Sequence, residues 1–268
     1  MAEAGHAGFR ADRALRSRLI DINSRRFGRC YPLTVVVRGS AMEKTQPLTV
    51  VEKALLRKAR LLADLPAKTQ RQIAELATGV VCPQRAVLFQ EGTPADAFYC
   101  VLTGYVRLYR TNKAGREADI RVCGPGDSFA ECLLWAGGAY RYCAQAAEAT
   151  TLARFDIAAL RDLAERDSRI GRAFLASMSA HLLDAMDRLA NDRLDTAPRR
   201  LAHYLVESCQ SEGPSASLRL PFQKSLLAGQ LGLAPEALSR AFSTLRGAGV
   251  TVRGRIIEIN DVVALRQV

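Results

Sequence analysis

The sequence predicts an α+β chain in three parts. These are a roll of short antiparallel strands led in by helices, one long central helix, and a small C-terminal domain carrying a helix-turn-helix with a hairpin wing. Three observations predict it. Across residues 80–155, short β-branched and aromatic runs alternate with glycine, proline and aspartate, the rhythm of an antiparallel roll. Across residues 175–189, apolar side chains step by three and four, which is a helical stripe. Across residues 222–246, a small residue, a glycine and a proline stand where two helices meeting at a tight turn require them.

Residues 1–47 read as a basic tail. Positions 1–41 hold eight arginines, no lysine and three acids, Glu3, Asp12 and Asp21. The other reading is a start-site artefact, with translation beginning at Met42. Residues 48–165 read as a sensing domain with leading helices, 166–194 as the central helix, and 195–268 as the helix-turn-helix domain. A net charge of +11 points to a polyanionic partner, nucleic acid or an acidic surface. No apolar run approaches the ~18 residues of a membrane span, so no membrane partner and a cytoplasmic location are expected.

Seven cysteines, at 30, 82, 100, 123, 132, 143 and 209, form no C-x-x-C pair. Neither a zinc finger nor an iron–sulfur pattern is present. No phosphate-cradling loop, nucleophile elbow or H-E-x-x-H segment occurs, and only three histidines exist; an enzyme is not expected.

Residues 48–77 carry a helical pattern through Val51, Leu55, Leu62, Ile73 and Leu76. The strands follow. Residues 105–110 alternate so that Val106 and Leu108 share one face, and Gly124-Pro125-Gly126-Asp127 reads as a turn. The helical period returns at 157. Leu175, Met178, Leu182, Met186 and Leu189 form a heptad-like stripe. Such a stripe must be buried, either against its own domain or, in the preferred reading, as the seam of a homodimer. Pro198 suits the first turn of the next helix.

In the helix-turn-helix, Ala228 is the small residue at the crossing, Gly232 opens the turn, and Leu227, Leu231 and Leu238 fill the shared core. Pro235 starts the second helix. Glu236, Ser239 and Arg240 stand at i, i+3 and i+4 and so share a face. Arginine can fork onto guanine, glutamate can accept from cytosine, and serine can bond either way. Gln223 and Lys224 suit phosphate contacts, as do Arg253 and Arg255 in the wing. The bland alternative is that Glu236 and Arg240 form an ordinary surface ion pair.

In this order, the elements resemble the CRP/FNR family over about residues 48–266, closest to its FNR/Dnr/NnrR-like branch. The carrying motifs are residues 91–104 (EGTPADAFYCVLTG), residues 124–131 (GPGDSFAE) and Glu236-x-x-Ser239-Arg240. The resemblance implies a cyclic-nucleotide-binding-like jelly roll and a homodimeric transcription activator. It would bind double-stranded DNA as a palindrome of TTGAT half-sites, and RNA polymerase is implied as a partner.

The effector stays open. Glu131 and Arg141 match the family's ribose-binding glutamate and phosphate-binding arginine, but Ala130 stands where the family has Gly, and Tyr142 where it has Ser. The bland alternative is that Glu131 and Arg141 are a leftover structural pair. An iron–sulfur cluster is not expected, since only Cys30 precedes the roll. A nitric-oxide or low-oxygen signal is the preferred reading, with haem as a candidate cofactor and His181 as its ligand. A cyclic-nucleotide-responsive regulator, or a roll that controls a partner without DNA, are the alternatives.

Overall fold

The computed structural model describes residues 43–209 and 213–268. The expected tail up to Met42, with His6 and Cys30, lies outside the described residues. In chain order the elements are β1 (Glu43–Pro47), α1 (Val50–Arg57), α2 (Ala67–Leu76), β2 (Ala77–Cys82), β3 (Val87–Phe89), β4 (Ala97–Thr103), β5 (Val106–Thr111), β6 (Glu117–Cys123), β7 (Ser128–Phe129), α3 (Leu133–Ala136), β8 (Cys143–Ala146) and β9 (Thr150–Asp156). Then come α4 (Ile157–Arg166), α5 (Ser168–Leu194), α6 (Ala197–Ser208), β10 (Ala216–Arg219), α7 (Lys224–Gln230), α8 (Pro235–Leu245), β11 (Val250–Arg253), β12 (Ile256–Ile259) and α9 (Val262–Leu265).

Two antiparallel sheets form the roll. One runs β1-β2-β9-β4-β7, the other β3-β8-β5-β6. Their inner faces enclose Phe98, Phe129, Phe155, Leu134 and Leu152. Val106 and Leu108 are both buried on one face of β5. Phe98 stacks on Phe155 and meets Phe174 of α5 edge-on, so the central helix starts out anchored in the roll.

One boundary differs from the sequence reading. The strand β1 lies inside the segment read as a tail to residue 47: Gln46 and Pro47 pair with Gly79 and Thr78 of β2. The leading helices over 48–77 are two, α1 and α2. Thr49 caps α1 with a capping box, the chain turns through 58–66, and Pro66 leads into α2. The central helix, read from 166, begins at Ser168, because Asp167 leaves helical geometry (φ −132°, ψ 96°) and caps α5 through the Arg169 amide.

The C-terminal domain packs α6, α7 and α8 on a three-stranded sheet β10-β12-β11. Its core holds Leu201, Leu205, Leu220, Leu227, Leu245, Val250 and Ile257. The wing turns tightly: Arg253 pairs with Ile256, and Gly254 takes φ +62°, which glycine does without a Cβ penalty. This core continues into the roll. Val122 of β6 belongs to it, and Tyr105 meets Phe222 edge-on at 5.0 Å. At Gly229 a Cβ would fall within 1.9 Å of Asp119 Oδ2, so glycine is what lets α7 sit this close to β6.

On α5, Leu175, Leu182, Met186 and Leu189 are exposed, together with Leu183, while Met178 is half-buried. The stripe is therefore not spent on its own domain, which removes the alternative of self-packing.

Candidate nucleic-acid interface

The helix-turn-helix is built from α7 and α8. Leu227 and Ala228 are buried where the helices cross, and Leu238 fills the same core. Leu231 is only half-buried at its edge. The Leu233 amide donates to the Ala228 carbonyl at 2.8 Å, closing the turn. Gly232 takes φ +63° there. A Cβ at Gly232 would also meet Asp192 Oδ1 at 3.0 Å. The turn is braced from α6, since Arg200 Nη1 donates to the Leu231 carbonyl at 2.9 Å and pairs with Asp192.

Pro235 is the first residue of α8. Leu238, Ala241, Phe242 and Leu245 bury one face. Glu236, Ser239 and Arg240 stand exposed on the other. Among the described residues, Glu236 and Arg240 do not pair with each other within ion-pair distance, so the surface-pair alternative does not hold. Ser239 Oγ donates to the Pro235 carbonyl at 3.0 Å, which leaves its oxygen free to accept. Ser243 and Arg246 prolong the exposed face. Sequence reasoning missed both, although they continue the same i+3, i+4 spacing.

The flanking cations differ in use. Gln223 is exposed at the N-cap of α7. Lys224 is half-buried, its ammonium 5.7 Å from the Phe242 ring centroid. Arg253 is exposed in the wing. Arg255, read from the sequence as a phosphate contact, is used inside the fold instead. Its Nε donates to the Leu220 carbonyl at 2.9 Å and its Nη2 to the Pro221 carbonyl. It braces the wing against the segment leading into α7.

In the roll, the two residues expected to share a ligand do not come together. Glu131 is 4% exposed. His181 Nδ1 lies 2.6 Å from its Oε1. Arg141 is exposed and is not its partner, so the alternative of a Glu131–Arg141 structural pair does not hold. Ala130 holds φ +65°, a left-handed conformation costing a Cβ-bearing residue about 1–2 kcal/mol. Its amide donates to the Tyr142 hydroxyl at 3.0 Å. Burial, reinforced by the Glu131 charge, pushes that hydroxyl far above the usual phenol range. Phe89 stacks on Tyr140 at 3.7 Å between centroids, and Tyr142 packs against the same Phe89.

Of the proposed haem ligand, the structure shows that His181 is set against Glu131 through Nδ1. A carboxylate that orients an imidazole is one way proteins prepare a metal ligand. Among the described residues no group of three or more His, Cys, Asp or Glu gathers to hold a metal. None of the described helices is long and apolar enough to cross a membrane.

Two family models match the chain: a cyclic nucleotide-binding domain over residues 80–167 and a Crp-like helix-turn-helix domain over residues 199–268. The chain is 32% identical to the nitrogen fixation regulation protein FixK of Rhizobium meliloti, over 67% of this chain and 81% of that protein. It is 26% identical to the anaerobic regulatory protein of Pasteurella multocida, over 67% of each. Among solved structures it is similar to FixK2 from Bradyrhizobium japonicum, with a TM-score of 0.62 and 28% identity over 71% of this chain and 96% of that one.

Proposed function

The chain belongs to the CRP/FNR family of DNA-binding transcription regulators, and on that premise we propose that it acts as a homodimer reading an inverted repeat of TTGAT-type half-sites under low oxygen or nitric oxide. The observation that carries the base-reading role is the unpaired face of α8. Glu236, Ser239 and Arg240 project together from a helix whose other face is locked into the core, and among the described residues no ion-pair partner takes their charges. Such a face gains its hydrogen bonds from base edges in the major groove.

The exposed stripe of α5 supports the dimer. Two copies joined along it would present two α8 helices related by a two-fold axis. Half-sites about one helical turn apart, roughly 34 Å, match that symmetry. Gln223, Lys224 and Arg253 would fix register on phosphates. Activation through RNA polymerase and residence in the cytoplasm follow from the same reading. The names of the FixK and anaerobic relatives support the nitrogen and low-oxygen setting. Cyclic-nucleotide control is disfavoured by Tyr142, whose hydroxyl takes the Ala130 amide at the place of the family's phosphate-binding serine.

The test is fluorescence anisotropy on a labelled TTGAT palindrome and on a scrambled duplex, across a salt series. The palindrome should bind more tightly at every salt, and affinity should fall steeply with salt. Arg240→Ala should cost about 1–3 kcal/mol on the palindrome and relax the preference at one base pair. Equal losses on both duplexes would refute the base-reading role.

A further inference from the structure

The turn after β7 joins the roll to the central helix at one buried point. Among the described residues, the Glu131 carboxylate has a single side-chain partner, His181 from the middle of α5. His181 Nδ1 lies within ion-pair distance of Glu131 Oε1, at 2.6 Å. A carboxylate this buried is costly to leave unpaired, which makes the contact a constraint on where α5 can lie. The neighbouring charges are already engaged or turned away. Arg121 of β6 pairs with Asp127 and donates to the Ser128 carbonyl, while Arg141 is exposed. A second contact lies close by: Trp135, the single tryptophan of the chain, meets Phe174 of α5 edge-on at 5.4 Å.

We propose that His181 is a built-in occupant of the ligand position of the roll. Its imidazole takes the carboxylate that the family resemblance assigns to the ribose of an effector, and so docks α5 in the DNA-binding arrangement without a cyclic nucleotide. His181 is a positioning residue, acting through Glu131 and α5 on the distance between the two recognition helices. This deepens the reading of the chain as a dimeric DNA-binding regulator and rests on it.

The experiment uses the full chain. Palindrome affinity is measured for the wild type with and without saturating cyclic AMP or cyclic GMP, and for His181→Leu and His181→Asn. Emission of Trp135 is recorded for each. The asparagine amide can put an N–H near the place of Nδ1; leucine cannot. The wild type should bind without added nucleotide and stay unchanged by it. His181→Leu should lose about tenfold or more in affinity, the usual scale of coupling between two sites, with a shift in Trp135 emission. His181→Asn should restore both. Two results would overturn the proposal: a wild type that binds only with cyclic nucleotide, or a leucine variant that matches the wild type in affinity and emission. If the wild type never distinguishes the palindrome from the scrambled duplex, the DNA reading itself has failed. Trp135 then decides alone: a shift in the leucine variant that asparagine reverses supports the contact, and unchanged emission overturns it.

Discussion

The recognition helix and the turn after β7 each carry a glutamate, and the two stand in opposite states. Glu236 is exposed, with no ion-pair partner among the described residues; Glu131 is buried against His181. Hydrated charge on a rigid helix costs little to hold and is available to a partner, whereas buried charge is tolerated only when paired. The same contrast runs through the surroundings. Around α8 the polar groups face outward over an apolar core. In the roll, tyrosines, a thiol and an arginine turn inward and bond to backbone groups. One region is built to bind, the other to hold position.

Alkali should break this contrast first and most strongly. Burial pushes the Cys100 and Cys123 thiols up to about 12, from 9.0. Burial likewise raises the Tyr140 and Tyr142 hydroxyls. A raised pKa means that the folded state binds the proton more tightly than the unfolded state. The stability it contributes is complete below about pH 9 and is lost as pH rises toward 12. Among the described residues, the C-terminal core holds no thiol as deeply buried, its Cys209 being half-buried. Alkaline titration followed by Trp135 emission should therefore show the roll failing before the helical signal of the C-terminal domain. Loss of the C-terminal domain first would mean that the inward-facing groups of the roll do not govern its stability.

The junction between the regions is the next place to test. Phe222 is buried between the C-terminal core and Tyr105 of the roll. Phe222→Ala removes its ring from both and should cost about 3–5 kcal/mol. Melting should shift downward in the helical signal of the C-terminal domain more than in Trp135 emission. Equal shifts would show that the roll and the C-terminal domain unfold as one unit, sharing a single cooperative core through Val122.

What could be read in advance follows the same division. The helix-turn-helix was legible because its demands are local: Ala228, Gly232 and Pro235 sit close together in the chain, and the spacing of Glu236, Ser239 and Arg240 sets their common face. The roll was legible as a set of strands, since alternation and turns are local too. The pairing of Glu131 with His181 was not. It joins residues far apart in sequence, and neither spacing nor residue type singles them out as partners. Strand β10 was also hidden, because its four residues alternate only between half-buried and exposed and gain their place from pairing with β12. The start of the central helix was legible to within two residues, 166 against Ser168, although the apolar period continues across Asp167 while the backbone does not.

The wing gives the smallest effect and the finest test, because it sets an outward and an inward arginine two positions apart. Arg253 is exposed, and Arg253→Ala should leave melting unchanged while lowering the salt slope of DNA binding by about 1, the share of one phosphate contact. Arg255 donates to the carbonyls of Leu220 and Pro221. Arg255→Ala should cost about 1.5–3 kcal/mol of stability, the range for hydrogen bonds from a charged donor, with the slope kept. Slope and melting temperature, measured on both variants, thus separate a residue that meets DNA from one that holds the wing in place. A lowered slope in Arg255→Ala with unchanged melting would give it back the phosphate role that the sequence suggests. It would also show that its two carbonyl contacts give way when DNA arrives.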